Sequence, residues 1–569
     1  MGRAEVSVAR RFSVAVSTIA IRGPNANENR EPEMHLRNAV IAIVALVLAN
    51  LGLYRVVVRQ DLTADKRYTL SRETKQQMAQ LTEPLEVSIL LDGALNAGFT
   101  RLKKATEETL EELSYHGQLH YHTGSSDEAE RLGLQPTVIH ERTRDGRTAQ
   151  TTVYPFVRLT YKKRSITLPL LQNQRGLSGE ENLNRSIENL EYTFAEGIHT
   201  LLKEGTERIA FLEGHGELDE KSVYDLSLAL SRYFQIDRGI LGTDPEALNA
   251  YRCVIIADPE TAFSDTDKYI LDHYIMQGGS ILWLVNGIRF SDKMLQQEGL
   301  TPVIAQELNL TDLFFRYGVR INAALVQDLQ CLPIPVDVSS DPTQPNFQPL
   351  PWTYAPLLLT SEQSPVTRGV SQVFGSLLSC IDAVGGEDGL MKTILLATST
   401  ASTMTQAPAE VDLSDLTVER DKFRYAYIPV AMSVEGAFPS LYTHRMAPEG
   451  VKPLPAVERG KTTRQIFVAG GSIARNEWQH GQPLPVGYDR YTETLFGNRD
   501  FLVNAVLYLT DDCGLMALRS KNVTLRLLND RRAHDKLTQF QLISLLCPIL
   551  LISLIGLAVW TIRRKLYLR

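Results

Sequence analysis

Two strongly apolar stretches of the chain carry no ionised side chain, residues 39–54 (AVIAIVALVLANLGLY) and residues 540–562 (FQLISLLCPILLISLIGLAVWTI). Both approach the roughly 20 apolar residues a membrane-spanning helix needs. A core helix of a soluble protein keeps one polar stripe, whereas these runs are apolar nearly all round. The pattern therefore predicts transmembrane helices at 35–58 and 539–562, the second anchored at the interface by Trp560, Tyr567, Arg563, Arg564 and Lys565 and followed by a basic tail at 563–569. The first run is read as a retained anchor, because RVVVRQDLTADKRYTLS follows it without a small-x-small cleavage site. Residues 1–34 form a tail without sustained period, and Met34, directly before HLRNAVIAIV, is expected to be the true start. Flanking charge orients the spans poorly: Arg55, Arg59, Lys66 and Arg67 follow the first, and Arg37 precedes it. A large middle region translocates largely regardless of charge.

Between the spans the period changes repeatedly. Residues 71–81 and 99–114 suit helices, and 85–91 (LEVSILL), 118–121 and 153–161 suit strands. Residues 181–204 place Leu183, Ile187, Leu190, Phe194, Ile198 and Leu201 at three- and four-residue intervals, which predicts one long amphipathic helix. This is a membrane-proximal α/β domain, 61–205. A second block, 206–512, opens with the strand 208–212 and the turn EGHGELDE, then a helix at 223–233, a buried strand at 253–257 (CVIIA), a helix at 265–276 and a strand at 280–285 (SILWLV). Apolar strands alternating with helices argue for a parallel sheet covered on both faces, and hence for a doubly wound, Rossmann-like domain. The Pro-, Gln-, Ser- and Asp-rich stretch 333–364 reads as a surface excursion. Strands return at 393–397, 427–434 and 465–469, an amphipathic helix closes the block at 501–509, and a juxtamembrane segment, 513–538, leads back to the membrane through residues 521–532. The fold class is α/β, with two transmembrane helices bracketing both domains.

Composition adds exclusions. With 569 residues, 44% of them apolar, and a net charge of −7, the chain can bury several cores, and it has no basic domain for nucleic acid. Its five cysteines contain no CxxC pair, so no disulfide framework is indicated. Gly460-Lys461-Thr462-Thr463 looks like half of a P-loop, but Pro455 stands where the first glycine belongs and the strand RQIFVA comes after the motif rather than before it. Gly470-Gly471-Ser472 lacks the closing glycine of a nucleophile elbow. Cys253 opens a buried strand instead of sitting at a strand-to-helix turn. The candidate site is a crevice of Glu213, His215, Glu217 and Asp258 at the ends of two strands. It suits a metal or acid/base site, or a tight glycine turn in which His215 and Glu217 cap the next helix. No catalytic residue, metal site or cofactor is assigned.

Four segments, DLTADKRYTLS at 61–71, IENLEYTFAEGI at 187–198, IAFLEGHGEL at 209–218 and GNRDFLVNAVLYLTDDCGLMALRSK at 497–521, resemble recurring segments of the GldG family of gliding-motility-associated ABC transporter auxiliary proteins, in the same order and between the same two spans. The resemblance implies an inner-membrane protein of Bacteroidota-type bacteria, with a periplasmic middle, cytoplasmic termini, a separate ABC permease and a separate cytoplasmic ATPase. It also implies that the second domain is similar to a module of an intraflagellar transport protein, a degenerate glutamine-amidotransferase-like fold without catalytic machinery. After IFVA the family has an acidic pair where this chain has Gly470-Gly471-Ser472. The expected function is a non-catalytic binding and coupling subunit facing a periplasmic substrate or envelope partner. The alternatives are a membrane-anchored hydrolase or transferase using Glu213, His215 and Asp258, and a ligand-free scaffold.

Overall fold

The computed structural model describes residues 69–567 except 94, 143–147, 172–177, 203–204, 206, 338, 340–345, 386–388, 414–417, 456, 513 and 521–536. The expected tail at 1–34, the first span at 35–58 and the return segment at 521–532 lie outside the described residues.

The elements expected at 71–81, 85–91, 99–114 and 118–121 are present in the first sheet region, while the strand Arg164–Pro169 is one the pattern did not predict. Ser71 caps α1 (Arg72–Ala79) by accepting the Thr74 N–H. Strand β1 (Leu85–Ile89) buries Leu85, Val87 and Ile89. Asn96 caps α2 (Ala97–Ser114), whose Leu102, Leu110 and Leu113 are fully buried. That helix crosses over to β2 (Leu119–Thr123), which lies parallel to β1, as a βαβ connection requires. On the other side β1 runs antiparallel to β3 (Phe156–Tyr161), which pairs with β4 (Arg164–Pro169). The predicted 153–161 strand is two elements, because Val153 ends a separate hairpin strand, Thr148–Val153, paired with Thr137–Arg142.

The single helix expected at 181–204 is interrupted. Helices α3 (Gly179–Glu188) and α4 (Leu190–Leu202) meet at Asn189, whose φ of −92° and ψ of 1° leave the helical region. The bonds from Asn189 N to Arg185 O and from Thr193 N to Asn189 O persist, so the apolar period runs through the break. Glu191 then ties α4 to the start of α1, accepting from Ser71 N at 2.6 Å and from Thr74 Oγ1 at 3.1 Å.

The second sheet is larger. Strands β5 (Glu207–Glu213), β6 (Phe234–Ile240), β7 (Cys253–Ala257) and β8 (Ser280–Leu284) are parallel, in the spatial order β6-β5-β7-β8. Helix α5 (Tyr224–Leu230) links β5 to β6, and α6 (Asp265–Met276) links β7 to β8. Every residue of β7 and β8 is buried, so both sheet faces are covered. The sheet continues through β9 (Cys331–Asp337), β10 (Phe347–Thr360), β11 (Met391–Ala397), β12 (Pro429–Pro439) and β13 (Arg459–Val468), in the order β9-β10-β11-β12-β13-β8. Strand β13 lies parallel to β8 and antiparallel to β12, so the sheet changes sense there.

The surface excursion expected at 333–364 is corrected by β9 and β10, which form the antiparallel end of this sheet. Pro333 faces Pro351 and Pro335 faces Pro349, two positions apart, with Ile334 opposite Leu350 between them. Opposed residues of an antiparallel ladder alternate between bonded and non-bonded pairs. Prolines confined to the non-bonded pairs remove no donor the ladder uses, so composition misreads these strands as loop.

Helix α7 (Asn498–Leu509) packs against α5, β8 and β13. The buried Asn498 amide donates to Phe374 O at 2.7 Å and Ile473 O at 3.1 Å and accepts from Phe374 N at 3.1 Å. Helix α8 (Leu537–Tyr567) ends the described chain and carries Arg563, Arg564 and Lys565 of the expected tail as helix. Its segment Gln541–Ile562 is, among the described residues, the one helix long and apolar enough to cross a membrane, and none of it is buried.

Gln465 locks the change of sheet sense. Fully buried on β13, its Oε1 accepts Ile281 N at 3.0 Å and Trp283 Nε1 at 3.3 Å, while its Nε2 donates to Gly279 O at 3.0 Å. Replacing Gln465→Leu leaves Ile281 N and Trp283 Nε1 unsatisfied at about 1–3 kcal/mol each, partly relieved by relaxation, while Gly279 O keeps the Thr463 hydroxyl. A stability loss of about 2–4 kcal/mol is expected in chemical unfolding followed by tryptophan fluorescence, and a loss within about 0.5 kcal/mol of zero would contradict the assignment.

Candidate functional site

Ligands of open α/β sheets bind outside the carboxyl ends of the strands, at the point where strand order reverses. Here that point lies between β5 and β7, and two segments meet beyond it. The β5 turn needs its glycines: Gly214 and Gly216 have φ of 114° and 77°. His215 between them is buried, stacked on Phe263 with ring centroids 3.8 Å apart. Its Nδ1 lies 3.1 Å from Glu217 and its Nε2 3.3 Å from Asp267, in the first turn of α6. The His215 carbonyl accepts Glu260 N and Thr261 N, so the turn is stitched to the segment after β7. Burial pulls the imidazole pKa down, but the hydrogen bonds and charges of Glu217 and Asp267 outweigh it and the net shift is upward. The charged imidazole thus stabilises the fold most below the ordinary histidine range, and the contribution fades as pH rises through the raised value.

The expected helix-capping role of His215 and Glu217 takes a different form. Helix α5 begins at Val223 without a side-chain cap, and Glu217 turns back to accept His215 N at 2.6 Å. Glu213 is engaged as well, at 2.6 Å from Arg238 Nε.

Asp258 faces the open space. A cleft of about 420 Å³ beyond β7 and β8 is lined by Asp258, Glu260, Arg289, Asp292, Arg475 and the apolar Ile288, Phe290, Pro302 and Ile304. Glu213, His215 and Glu217 do not line it. Asp258 takes a φ of 55°, unusual for a residue with a side chain. Its backbone N donates to Leu284 O at 2.7 Å, and Arg475 reaches its carboxylate at 3.6 Å. Arg475 also pairs with Asp292 at 2.6 Å. Burial raises the Asp258 pKa to about 6 against the pull of Arg475, and the charges of Asp292 and Glu260 push the same way as burial.

Gly471 explains how Asp258 fits. A Cβ at that position would fall inside the Asp258 carboxylate, and the Gly471 N–H bonds to it. Of the glycine pair, Gly471 is thus the surface on which the carboxylate following β7 packs, while Gly470 lies against Leu378. Arg475, Arg289, Asp292 and Glu260 are missing from the candidates read in sequence. The usable signal was positional: Arg475 follows β13, and Arg289 and Asp292 follow β8, each just past a strand's carboxyl end.

Other chemistry is weak in this region. Among the described residues no group of three or more His, Cys, Asp or Glu is placed to hold a metal. Burial pushes the Cys253 thiol up to about 12 and so keeps it protonated. Gly460, Lys461, Thr462 and Thr463 lie within β13, with Thr463 Oγ1 on Gly279 O at 3.0 Å, so they form strand and no phosphate loop.

A family model described as an ABC-type uncharacterized transport system matches residues 206–505. The chain belongs to that family. The family region holds the whole second sheet, the cleft and the His215 turn, while a second model, a domain of unknown function, matches residues 64–160. No curated protein matches the chain. Among solved structures, the mmIFT52 N-terminal domain is 14% identical, covering 54% of this chain and 99% of that one at a TM-score of 0.32. A putative ThuA-like protein from Parabacteroides merdae is 10% identical, covering 54% and 90% at a TM-score of 0.25. Membership in an ABC-type transport family suggests an auxiliary, non-enzymatic role in a membrane-associated system.

The Asp258 environment has a thermodynamic signature. Its folded pKa of about 6 exceeds the ordinary 3.8, so between those values the folded state binds more protons than the unfolded one. Ionised Asp258 therefore opposes folding above about pH 6, and the penalty vanishes as pH falls below about 4. At about 1.4 kcal/mol per pKa unit, discounted because the side chain is 24% exposed, Asp258→Asn should add about 1–2 kcal/mol of stability at pH 7.5 and nothing at pH 4. Asparagine tolerates the positive φ, so the comparison is free of added strain. Unfolding curves of both proteins at the two pH values check this, and equal stability at pH 7.5 would contradict it.

Proposed function

We propose that the chain is a non-catalytic, membrane-anchored binding and coupling subunit of an ABC-type transport complex, GldG-like in organisation, with its large region on the periplasmic face and both termini in the cytoplasm. The observation that carries the reading is the meeting, in one chain, of the transport-family region 206–505 with the unburied apolar segment Gln541–Ile562. That segment leaves Leu545 68% and Ile552 70% exposed, surface that soluble proteins rarely present in one contiguous patch and that suits lipid. A helix also satisfies its own backbone, as a lipid environment demands.

In this reading the run at 39–54 supplies the second span, and the region between is a membrane-proximal domain (61–205) followed by a Rossmann-like domain (206–512). The parallel order β6-β5-β7-β8 supports the latter. The GldG-like organisation supplies the partners, a separate cytoplasmic ATPase and a separate permease, with the spans packing on the permease and the periplasmic region meeting a substrate or an envelope partner. The one P-loop-like stretch of this chain is built into β13, which agrees with that division of labour. The link to gliding motility belongs to the GldG-like organisation.

Affinity purification of the full chain from native membranes in mild detergent is the test. An ABC permease and an ABC ATPase should co-purify in fixed ratio and survive a carbonate wash of the membranes beforehand. A preparation containing neither would overturn the proposal.

A further inference from the structure

The cleft beyond β7 and β8 holds charges that the fold does not use. Arg475 is committed to Asp258 and Asp292. Glu260 and Arg289 are exposed, both line the cleft, and among the described residues neither side chain has a hydrogen-bond or ion-pair partner. They are also too far apart to pair with each other, since no ion pair within 4 Å joins them. The cleft thus carries three carboxylates, Asp258, Asp292 and Glu260, against the shared guanidinium of Arg475 and the unshared one of Arg289, which sits on the short strand Ile288–Arg289 paired with Leu300–Ala305. Phe290, Pro302 and the half-exposed Ile304 add apolar lining.

The floor has the marks of a built site. Asp258 keeps a left-handed backbone that costs about 1 kcal/mol or more and persists only where its surroundings fix it. Gly471 leaves room for its carboxylate where any side chain would collide. The volume, about 420 Å³, falls within the range of small-ligand pockets. The surplus carboxylates call for a cation, and the guanidinium of Arg289, which no carboxylate of the cleft engages, calls for a carboxylate. A polyphosphate suits this arrangement poorly, because carboxylates outnumber guanidiniums. A neutral sugar leaves both free charges unanswered.

We infer that this cleft binds a zwitterionic amino acid or short peptide, with its ammonium group between Asp258 and Glu260, its carboxylate on Arg289 and an apolar side chain against Phe290 and Ile304. The inference rests on reading the chain as a binding subunit and names its ligand class. Co-purification of transporter subunits and ligand binding are separate measurements, so the two can fail separately.

The experiment is calorimetric titration of the purified full chain in mild detergent with the dipeptide Ala-Leu, its N-acetyl form, its C-terminal amide and glycerophosphoethanolamine. The free dipeptide should bind, and capping either end should weaken binding at least tenfold. Glu260→Gln should weaken binding of the free dipeptide but not further weaken that of the N-acetyl form. Arg289→Gln should do the same for the free dipeptide and the amide. Both substitutions are at exposed positions, so thermal melts should match the unaltered chain. No binding by any probe, equal binding of capped and free dipeptide, or unaltered affinity in both variants would overturn the inference. Tighter binding of glycerophosphoethanolamine than of the dipeptide would overturn it in favour of a lipid headgroup.

Discussion

The second sheet depends on β13, which must pair parallel with β8 on one edge and antiparallel with β12 on the other. The two ladders place their donors and acceptors differently. A fully buried glutamine at this seam takes up the backbone and indole donors of β8. Aromatic packing reinforces the seam: Trp283 stacks on Phe467 with centroids 6.0 Å apart, and Phe314 meets both edge-on. Because β13 is held in register, the segment after it is aimed. Gly471 arrives against the Asp258 carboxylate, and Arg475 reaches across to Asp292. The cleft is a consequence of where β13 ends.

A second buried node ties the rest of the chain to this sheet. Asp272 on α6 accepts Ser440 Oγ at 2.6 Å, Tyr317 Oη at 2.7 Å and Leu441 N at 3.0 Å. Burial raises its pKa while those three donors hold it down. A carboxylate left without them would be costly, so the loop after β12 and the helix before Val319 are drawn to α6. The first sheet joins differently, through Tyr192 and Ala195 of α4 packed with Leu515, Met516 and Leu518 beyond α7. Apolar contact at one junction and saturated polar contact at the other give the two joints different character.

Much of this is legible in the chain because helical and strand periods are local. The faces of α2 and α4 and the buried runs CVIIA and SILWL all follow from spacing alone. The break at Asn189 is not legible, since the apolar period continues through it. Strands β9 and β10 are hidden for another reason: proline composition reports loop, and only the partner strand reveals that the prolines face one another. In the site, Asp258 is readable from its place after a buried strand. Arg475, more than 200 residues away, is brought to it by the β13 register, a long-range fact that no local pattern carries. His215 attracts notice through its residue type, yet its two ring nitrogens face carboxylates that hold the turn together.

The proposed topology places the β13-built cleft outside the cytoplasm. Met446, 93% exposed in the loop after β12, offers a direct reporter. A Met446→Cys chain in cells with a permeabilised outer membrane should react with a membrane-impermeant maleimide while the inner membrane is intact, above the background of the unaltered chain. Labelling that appears only after the inner membrane is opened would contradict that topology.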